Sequence, residues 1–246
     1  MEPIHRIQFT IDHVHLDCFG RCKPSTLLYF AQEAAERHCL ILAADWQTLQ
    51  EKGLFWAVIR QKVQVTRLPR FGETITVETW PMPTTRVAYP CSTVAYDETG
   101  NEVFRAISLW VLMDVNTRAM ILPGKSGIAV QGTLRGNELA APASLLPKCL
   151  ERQALRTVRF TELDRNAHMN NTRYLDWLAD LLPSAFHKEH PVHEFTVCYL
   201  SEAREGEEIA LSWDMSEDRV LTVDAHRTKT DVPGKKQNVF SAQMKF

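Results

Sequence analysis

The chain has 246 residues, of which 45% are hydrophobic and 24% charged, and its formal net charge is −2 at pH 7. These values are typical of a globular protein with a sizeable core, and they argue against disorder. The near-neutral charge gives no reason to expect nucleic acid or an anionic membrane as a partner. The length fits one large domain or two domains of about 120 residues.

The cysteines and histidines give little reason to expect a metal. Six cysteines are scattered along the chain, as is typical of free thiols in a reducing compartment. His13 and His15 lie close in sequence to Cys18 and Cys22, but the Cys18-x-x-x-Cys22 spacing has no partner motif elsewhere. The histidine segment alternates like a strand. We therefore expect no metal and no other cofactor.

The first half predicts one long helix followed by a sheet. Residues 4–16 alternate like a strand, and Pro24 suits the first turn of a helix that continues over residues 25–44. From Phe55 the period changes to two. This pattern predicts four strands, over residues 55–66, 73–80, 86–96 and 103–114. A helix followed by antiparallel strands is an α+β unit in which the sheet wraps the helix.

Some strands carry more specific signals. In the strand over residues 55–66, the side chains predicted to lie together on one face are those of Ala57, Ile59, Val63 and Val65. The strand over residues 86–96 contains Pro90, so we expect it to lie at a sheet edge or to carry a bulge. The strand over residues 103–114 is apolar on both faces, which is typical of a central, covered strand.

The order of elements returns in the second half. Asp17 and Asp164 each begin a segment that leads into a helix, at an offset of 147 (164 − 17 = 147). Gly72 and Gly206 lie in similar turns at an offset of 134 (206 − 72 = 134). The second helix is shorter and its loops are tighter. We therefore predict two copies of one α+β unit, residues 1–118 and 153–246, joined by a Gly- and Pro-rich linker over residues 119–152.

A polar segment precedes the second helix. Asp164, Asn166 and His168 fall at i, i+2 and i+4, so in an extended segment they face one spot. Asn170 and Asn171 are good N-cap residues for the following helix. Unpaired N–H groups near Asn170 would then be available to a developing oxyanion. This arrangement suits hydrolysis of an acyl bond.

The first copy lacks these polar groups, because Phe19 and Arg21 stand where the second copy has Asn166 and His168. Chemistry is therefore expected in the second half.

The chain resembles the acyl-acyl carrier protein thioesterases of plants and bacteria over nearly its whole length. The segments that carry the resemblance are residues 53–60, 69–73, 77–80, 105–111 and 163–171, with Tyr174 and Trp177 beyond them. The resemblance implies a tandem (double) hotdog fold, with two antiparallel sheets each wrapped around a central helix. It also implies that the first half binds the acyl chain and that the second half is catalytic.

The resemblance also implies a catalytic glutamate in the first long strand after the helix, commonly followed by cysteine. The matching residue is Glu202, whose strand parity would place it on the apolar face of Cys198 and Leu200. Ala203 stands where the cysteine would be, so that position cannot supply a thiol nucleophile. This departure favours water activation over a papain-like mechanism.

The roles that follow divide the chemistry among four residues. Glu202 is the general base, alone or paired with His168, and His168 polarises the carbonyl or relays the proton. Asp164 and Asn166 orient His168 and the water. Direct attack by Asp164, through a covalent anhydride, stays open.

The resemblance implies hydrolysis of fatty acyl-acyl carrier protein to free fatty acid and carrier thiol, in fatty acid biosynthesis. Alternatives are an acyl-coenzyme A thioesterase of the same fold and a non-catalytic acyl-binding regulator.

The carrier protein is the expected partner, with no nucleic acid and no membrane, and a homodimer is left open. A basic stretch (Arg60, Lys62, Arg67 and Arg70) either meets the acidic carrier or is a solvated strand. The N-terminus lacks an apolar signal core, so we expect a cytoplasmic protein, or one of the plastid stroma if a transit peptide has been removed.

Thiol alkylation tests the departure at Ala203. We expect iodoacetamide to leave the rate of acyl thioester hydrolysis unchanged, because no thiol takes part in the chemical step. Rates and mass-spectrometric modification levels measured together check this. Inactivation that tracks modification of Cys198 would restore the thiol mechanism.

Overall fold

The computed structural model describes residues 3–145, 150–229 and 237–246. The chain divides into two compact units, Met1–Pro142 and Ala143–Phe246. Within the described ranges, no helix is both long and apolar enough to cross a membrane.

The first unit begins with β1 (His5–Thr10), a 3-10 turn (His13–His15) and two helices, α1 (Pro24–Ile41) and α2 (Trp46–Glu51). The predicted strand over residues 4–16 is therefore wrong after Thr10. The predicted helix over residues 25–44 is confirmed up to Ile41. It ends there because the chain turns at Ala43, which adopts a positive φ of 51°.

Four long strands complete the first sheet, close to the predicted positions. They are β2 (Leu54–Val65), β3 (Thr74–Pro81), β4 (Tyr89–Tyr96) and β5 (Glu102–Asp114). All pair antiparallel, in the order β1-β3-β4-β5-β2. The central position predicted for β5 is confirmed, since it lies between β4 and β2 and is buried along most of its length.

The edge position considered for β4 is wrong, because β4 lies between β3 and β5. The strand does carry a register shift, but it falls between Ala95 and Tyr96 rather than at Pro90. Pro90 keeps a regular place opposite Leu109. A proline inside the sheet therefore did not mark its edge.

The predicted shared face of β2 is also wrong. A register shift between Val58 and Arg60 places one extra residue in the strand. Because an extra residue reverses the alternation, Val63 and Val65 are buried, whereas Ala57 and Ile59 are only half-buried. Such a shift depends on the partner strand β5, so the local pattern did not indicate it.

Helix α1 lies against β1 and β3 and supplies much of the first core. Leu27, Leu28 and Phe30 are fully buried, and the ring of Phe30 lies 4.6 Å from that of Phe9 on β1. Ala34 is also buried, which lets the helix backbone approach the sheet closely. Burying each large apolar side chain contributes roughly 1.5–3 kcal/mol.

The chain after β5 packs against the first unit rather than leaving it. A short strand, β6 (Met120–Ile121), pairs with β5. Further on, Arg135 forms an ion pair with the buried Glu78 of β3, which also pairs with Arg6 of β1 at 2.6 Å. Burial would raise the pKa of Glu78, but the two arginines outweigh it and the pKa is lowered. The segment is therefore held by a partly buried charge cluster.

The second unit repeats this order. It contains β7 (Arg152–Thr157), a 3-10 turn (Phe160–Glu162), α3 (Arg173–Ala179), α4 (Ser184–Glu189), β8 (Glu194–Tyr199), β9 (Glu208–Met215), β10 (Val220–Arg227) and β11 (Asn238–Lys245). The sheet order β8-β11-β10-β9-β7 matches β2-β5-β4-β3-β1 strand for strand. The predicted internal repeat is confirmed, as is the shorter second helix, with 7 residues in α3 against 18 in α1.

Gly132 tests how closely the chain after β5 lies on the first sheet. A Cβ at Gly132 would lie 2.3 Å from the carbonyl group of Met82. Because backbone occupies that place, we expect G132A to lower the free energy of unfolding by about 1–3 kcal/mol. G124A is the matched control, since its Cβ meets nothing within 4 Å. Urea denaturation measures both variants, and equal stability of the two would contradict the close approach.

Candidate active site

The segment before α3 forms a tight turn. The Asp164 carboxylate accepts hydrogen bonds from the backbone N–H groups of Asn166 at 2.8 Å and His168 at 3.3 Å. Ala167 adopts a positive φ of 58° within this turn. The extended conformation predicted for residues 164–168 is therefore wrong. The carboxylate satisfies the backbone of its own loop instead of facing the same spot as the imidazole.

Backbone hydrogen bonds anchor this loop to the rest of the second unit. The Met169 N–H donates to the Ala203 carbonyl at 2.8 Å, and the Asn170 N–H donates to the Glu162 carbonyl at 2.8 Å. The Met169–Ala203 bond brings the residues around His168 next to those around Glu202. Two segments that are distant in sequence thus share one site.

The anchored loop places His168 beside Glu202. The two side chains meet at 3.0 Å between Nε2 and Oε2. The His168 side chain is 10% exposed, whereas that of Glu202 is 33% exposed. Glu202 therefore faces solvent at one side, where water can reach it, while His168 is shielded. A carboxylate and an imidazole in contact can accept and pass on a proton.

Glu202 does not lie in a strand, contrary to expectation. Strand β8 ends at Tyr199, and Leu200 beyond it is 53% exposed, so the predicted apolar strand face is wrong at this end. Glu202 lies in the following loop because the chain leaves the sheet there to approach the 163–172 segment. The family motif identified Glu202 itself. The backbone conformation at Glu202 is that of this loop and not that of a strand.

Arg227 at the end of β10 holds the Glu202 loop. Its guanidinium donates to Ser201 Oγ at 2.8 Å and to the Glu202 carbonyl, and it pairs with Glu207 at 3.0 Å. A guanidinium can make several such bonds because its donors point in fixed directions. Sequence reasoning missed Arg227, since its partners lie 20 to 26 residues away and no local pattern marks it.

The start of α3 differs from the prediction. Thr172, not Asn170 or Asn171, is the N-cap residue. The Asn170 side chain instead accepts from the Thr172 N–H at 3.0 Å and from its hydroxyl at 2.8 Å. The N–H of Arg173 donates to the Asn170 carbonyl. Most N–H groups near Asn170 are therefore engaged within the turn.

Buried aromatic side chains hold the turn in place through hydrogen bonds. The Tyr199 hydroxyl donates to the Asn171 carbonyl at 3.0 Å, and the Tyr199 ring packs edge-on against Tyr174. Burial raises the pKa of Tyr199 well above its usual range, so its hydroxyl stays protonated and can donate. The Trp177 indole donates to the Glu162 carboxylate at 2.6 Å.

The first unit contains the same turn without the side chains of His168 and Glu202. Asp17 accepts from the N–H groups of Phe19 at 2.8 Å and Arg21 at 3.0 Å, as Asp164 does in the second unit. Gly20 has the positive φ found at Ala167. Arg21 stands at the position of His168, pairs with Asp17 at 3.3 Å and lies over the Phe19 ring.

The position of Glu202 in the first unit belongs to Leu68 (202 − 134 = 68). The matching anchor bond confirms this correspondence, because the Cys22 N–H donates to the Pro69 carbonyl as Met169 does to Ala203. The first copy therefore has the backbone frame but no imidazole–carboxylate pair.

The histidines and cysteines considered for a metal have other roles. The ring of His13 stacks on Phe71 at 4.0 Å, and His15 accepts from the Asp12 N–H. Cys22 is buried, which raises the pKa of its thiol to about 12. Among the described residues, no three His, Cys, Asp or Glu side chains are grouped as a metal would need.

Cys198, the other thiol considered, is buried, and its Sγ lies 3.8 Å from the Ala143 carbonyl oxygen.

The repeated sheet and helix and the repeated turn show that this is a duplicated α+β protein. Models of known protein families identify its family. The model of the acyl-ACP thioesterase N-terminal domain (ACP, acyl carrier protein) matches residues 2–122, and the C-terminal domain model matches residues 150–245. These matches cover most of the chain. The chain belongs to the acyl-ACP thioesterase family.

Individual relatives agree with this assignment. The chain is 30% identical over 186 residues to the chloroplastic dodecanoyl-[acyl-carrier-protein] hydrolase of Cinnamomum camphora, covering 70% of this chain and 49% of that protein. It is 28% identical over 192 residues to the chloroplastic palmitoyl-acyl carrier protein thioesterase of Gossypium hirsutum, covering 72% and 46%. The chain thus spans about half the length of the curated relatives it matches.

Solved structures show the same fold. An acyl-ACP thioesterase from Bacteroides thetaiotaomicron superposes with a TM-score of 0.88 at 22% identity, over 99% of this chain and 98% of that chain. The 12:0-ACP thioesterase from Umbellularia californica superposes with a TM-score of 0.82 at 21% identity, over 100% of this chain and 97% of that chain. The predicted tandem hotdog fold is confirmed.

The Asp164 turn can be tested through stability. We expect D164A to lower the free energy of unfolding by about 1–3 kcal/mol, because two N–H groups in a half-buried loop lose their acceptor. D164N keeps the accepting oxygen and should cost less. In the first unit, D17A and D17N should follow the same order, because Asp17 makes the same bonds. Chemical denaturation measures all four variants, and a D164A protein as stable as wild type would contradict the role.

Proposed function

We propose that this protein hydrolyses fatty acyl-ACP to free fatty acid and carrier thiol, in fatty acid biosynthesis. The observation that carries the proposal is the contact of 3.0 Å between His168 and Glu202, found in only one copy of a duplicated frame. A purely structural turn would not need this pair, because the first copy keeps the turn with Arg21 and Leu68 in those positions. Family membership supports the reaction class.

In the proposed mechanism, Glu202 is the general base. A water at the exposed side of Glu202 gives a proton to the carboxylate, and its oxygen attacks the thioester carbonyl carbon. The tetrahedral intermediate then collapses, the carbon–sulfur bond breaks, and the thiolate takes up the proton, directly or through His168. The products are a carboxylic acid and a thiol, and no group on the enzyme is consumed.

His168 and the turn have supporting roles in this mechanism. The shielded imidazole polarises the carbonyl or relays the proton, while Asp164 holds the turn and Asn166 orients the water. Within the described part of the turn, the Asn171 N–H donates to no acceptor of the protein. We assign this N–H to the developing oxyanion, where one such donor accelerates acyl transfer by roughly 100- to 1,000-fold.

The covalent alternative, attack by Asp164, is disfavoured. One oxygen of Asp164 already accepts two backbone hydrogen bonds, which lowers its nucleophilicity and commits the carboxylate to the loop. The thiol alternative is disfavoured as well, since Ala203 fills the position of the family's cysteine.

The first unit holds the acyl chain in this proposal, and the carrier protein delivers it. Of the predicted basic stretch, Arg67 is the residue with carboxylate partners among the described ion pairs. Arg67 pairs with Glu73 at 2.6 Å and with Asp97 at 3.1 Å, so its charge is compensated. The carrier as substrate therefore rests on the family rather than on this surface. A cytoplasmic or plastid location and a homodimer stay predictions.

Substitution of the paired side chains tests the chemistry. We expect E202Q and H168A each to lower kcat on acyl-ACP by at least ~100-fold, as loss of an acid–base group does. The matched controls are E205Q and H193A, which change exposed side chains nearby and should keep the rate. Near-normal rates for E202Q or H168A would refute the site. Parallel assays on acyl-coenzyme A decide whether the substrate is the carrier-bound or the coenzyme A thioester. If the wild-type protein binds acyl chains but hydrolyses neither thioester, it is the non-catalytic acyl-binding regulator.

D164N separates the water mechanism from covalent attack. The amide keeps the turn but cannot attack a carbonyl as a carboxylate does. We expect kcat within about tenfold of wild type. Loss of all activity in a D164N protein of normal stability would instead make Asp164 the nucleophile.

A further inference from the structure

Arg227, the last residue of β10, ties the Glu202 loop to the sheet. Its side chain is 13% exposed, and its guanidinium binds Glu207, Ser201 Oγ and the Glu202 carbonyl. The Ser201 hydroxyl donates in turn to the Asn238 carbonyl at 2.8 Å, at the start of β11. The main chain of the loop is therefore linked through one shielded guanidinium to two strands.

The first unit has an arginine in the same cluster, but at a different position. Arg67 lies two residues after β2, as Ser201 lies two residues after β8. Its guanidinium pairs with Glu73 at 2.6 Å and with Asp97 at 3.1 Å, and its side chain is 39% exposed. In the described part of the chain, both partners of this guanidinium are carboxylates.

Three pairs of positions correspond between the two clusters. They are Arg67 and Ser201, Glu73 and Glu207, and Asp97 and Arg227. In the first pair, each N–H donates at 3.1 Å to a matching valine carbonyl, that of Val103 or Val239. The second pair has the offset of the turn glycines (207 − 73 = 134). In the third pair, each residue lies two positions after an alanine, Ala95 or Ala225, that faces a matching phenylalanine, and both strands shift register directly after that alanine. The arginine has therefore moved from the first position to the third.

The move changes what the guanidinium reaches. From the end of β10, Arg227 binds the carbonyl of Glu202, whereas Arg67 makes no bond to the corresponding carbonyl of Leu68 within the described chain. The move also leaves one carboxylate in the cluster, that of Glu207, where the first unit has two. An arginine that only stabilised the cluster would need neither change, because the first unit keeps its ion pairs without them.

We propose that Arg227 is a positioning residue for the general base. Through the Glu202 carbonyl it fixes the loop backbone, and so directs the Glu202 carboxylate toward His168. The inference rests on the proposed hydrolysis and adds to it a residue that touches neither the water nor the thioester. Arg227 therefore affects turnover rather than substrate binding, because displacing a reacting group by about 1 Å costs up to ~100-fold in rate.

Substitution of Arg227 tests this role through kcat and KM on acyl-ACP. We expect R227Q to lower kcat by about 30- to 100-fold and to leave KM within about threefold, since the substrate contacts are kept. R227K keeps a positive charge for Glu207 but lacks the fixed fork, so its kcat should stay at least about tenfold below wild type. E73Q is the matched control, because it breaks an ion pair of the first unit and should keep the wild-type kcat. Normal kcat in a folded R227K protein would overturn the proposal.

The double variant S201R/R227D separates positioning from stability. It gives the second unit the charge arrangement of the first, so we expect it to recover most of the urea midpoint that R227D alone loses. Its kcat should nevertheless stay at least about 30-fold below wild type, because the Glu202 carbonyl lacks its donor. Recovery of kcat together with stability would show that Arg227 only stabilises the fold, and this result would overturn the proposal.

E202Q, measured in the same assays, distinguishes failure of this inference from failure of the proposed function. An E202Q protein with the wild-type rate would overturn the general base and with it the role of Arg227. Loss of activity in E202Q together with normal kcat in R227Q and R227K would overturn the role of Arg227 alone.

Discussion

The candidate site depends on one carboxylate that satisfies the backbone of its own loop. Asp164 accepts two N–H groups and so stabilises a turn in which Ala167 takes a left-handed conformation. Without that acceptor, the N–H groups of a half-buried loop would lack a partner, at a cost of about 1–3 kcal/mol. The turn sets the direction in which His168 leaves the backbone. Its contact with Glu202 is therefore a consequence of the turn.

The duplication separates frame from chemistry within one chain. Asp17 makes the same turn in the first unit, with Gly20 in the left-handed position, and an equivalent anchor bond follows it. Yet Arg21 there forms an internal ion pair and has no carboxylate at the place of Glu202. The shared backbone turn by itself therefore does not make a hydrolase. The function depends on the side chains that the turn carries.

Distant residues complete the site and hold it rigid. Arg227 fixes the loop that carries Glu202, and Tyr199 supports the turn through the Asn171 carbonyl. A catalytic pair needs such support, because small displacements of reacting groups cost large factors in rate. The same logic holds in the first unit, where Arg135 and Tyr89 hold the chain after β5 against the sheet.

Local pattern in the sequence determined the α+β class, the repeat and the approximate strands, because these depend on periodicity and residue type. The same pattern predicts that the chemistry lies in the second copy. The family motif identified Glu202. Only tertiary structure decided the rest. The shift in β2 depends on pairing with β5, the interior place of β4 depends on strand order, and the loop position of Glu202 depends on Arg227 and the turn. His168 and Glu202 are 34 residues apart (202 − 168 = 34), and their contact exists because long-range hydrogen bonds bring two loops together. Such bonds cannot be predicted from local sequence preferences, because they join residues that are distant in sequence.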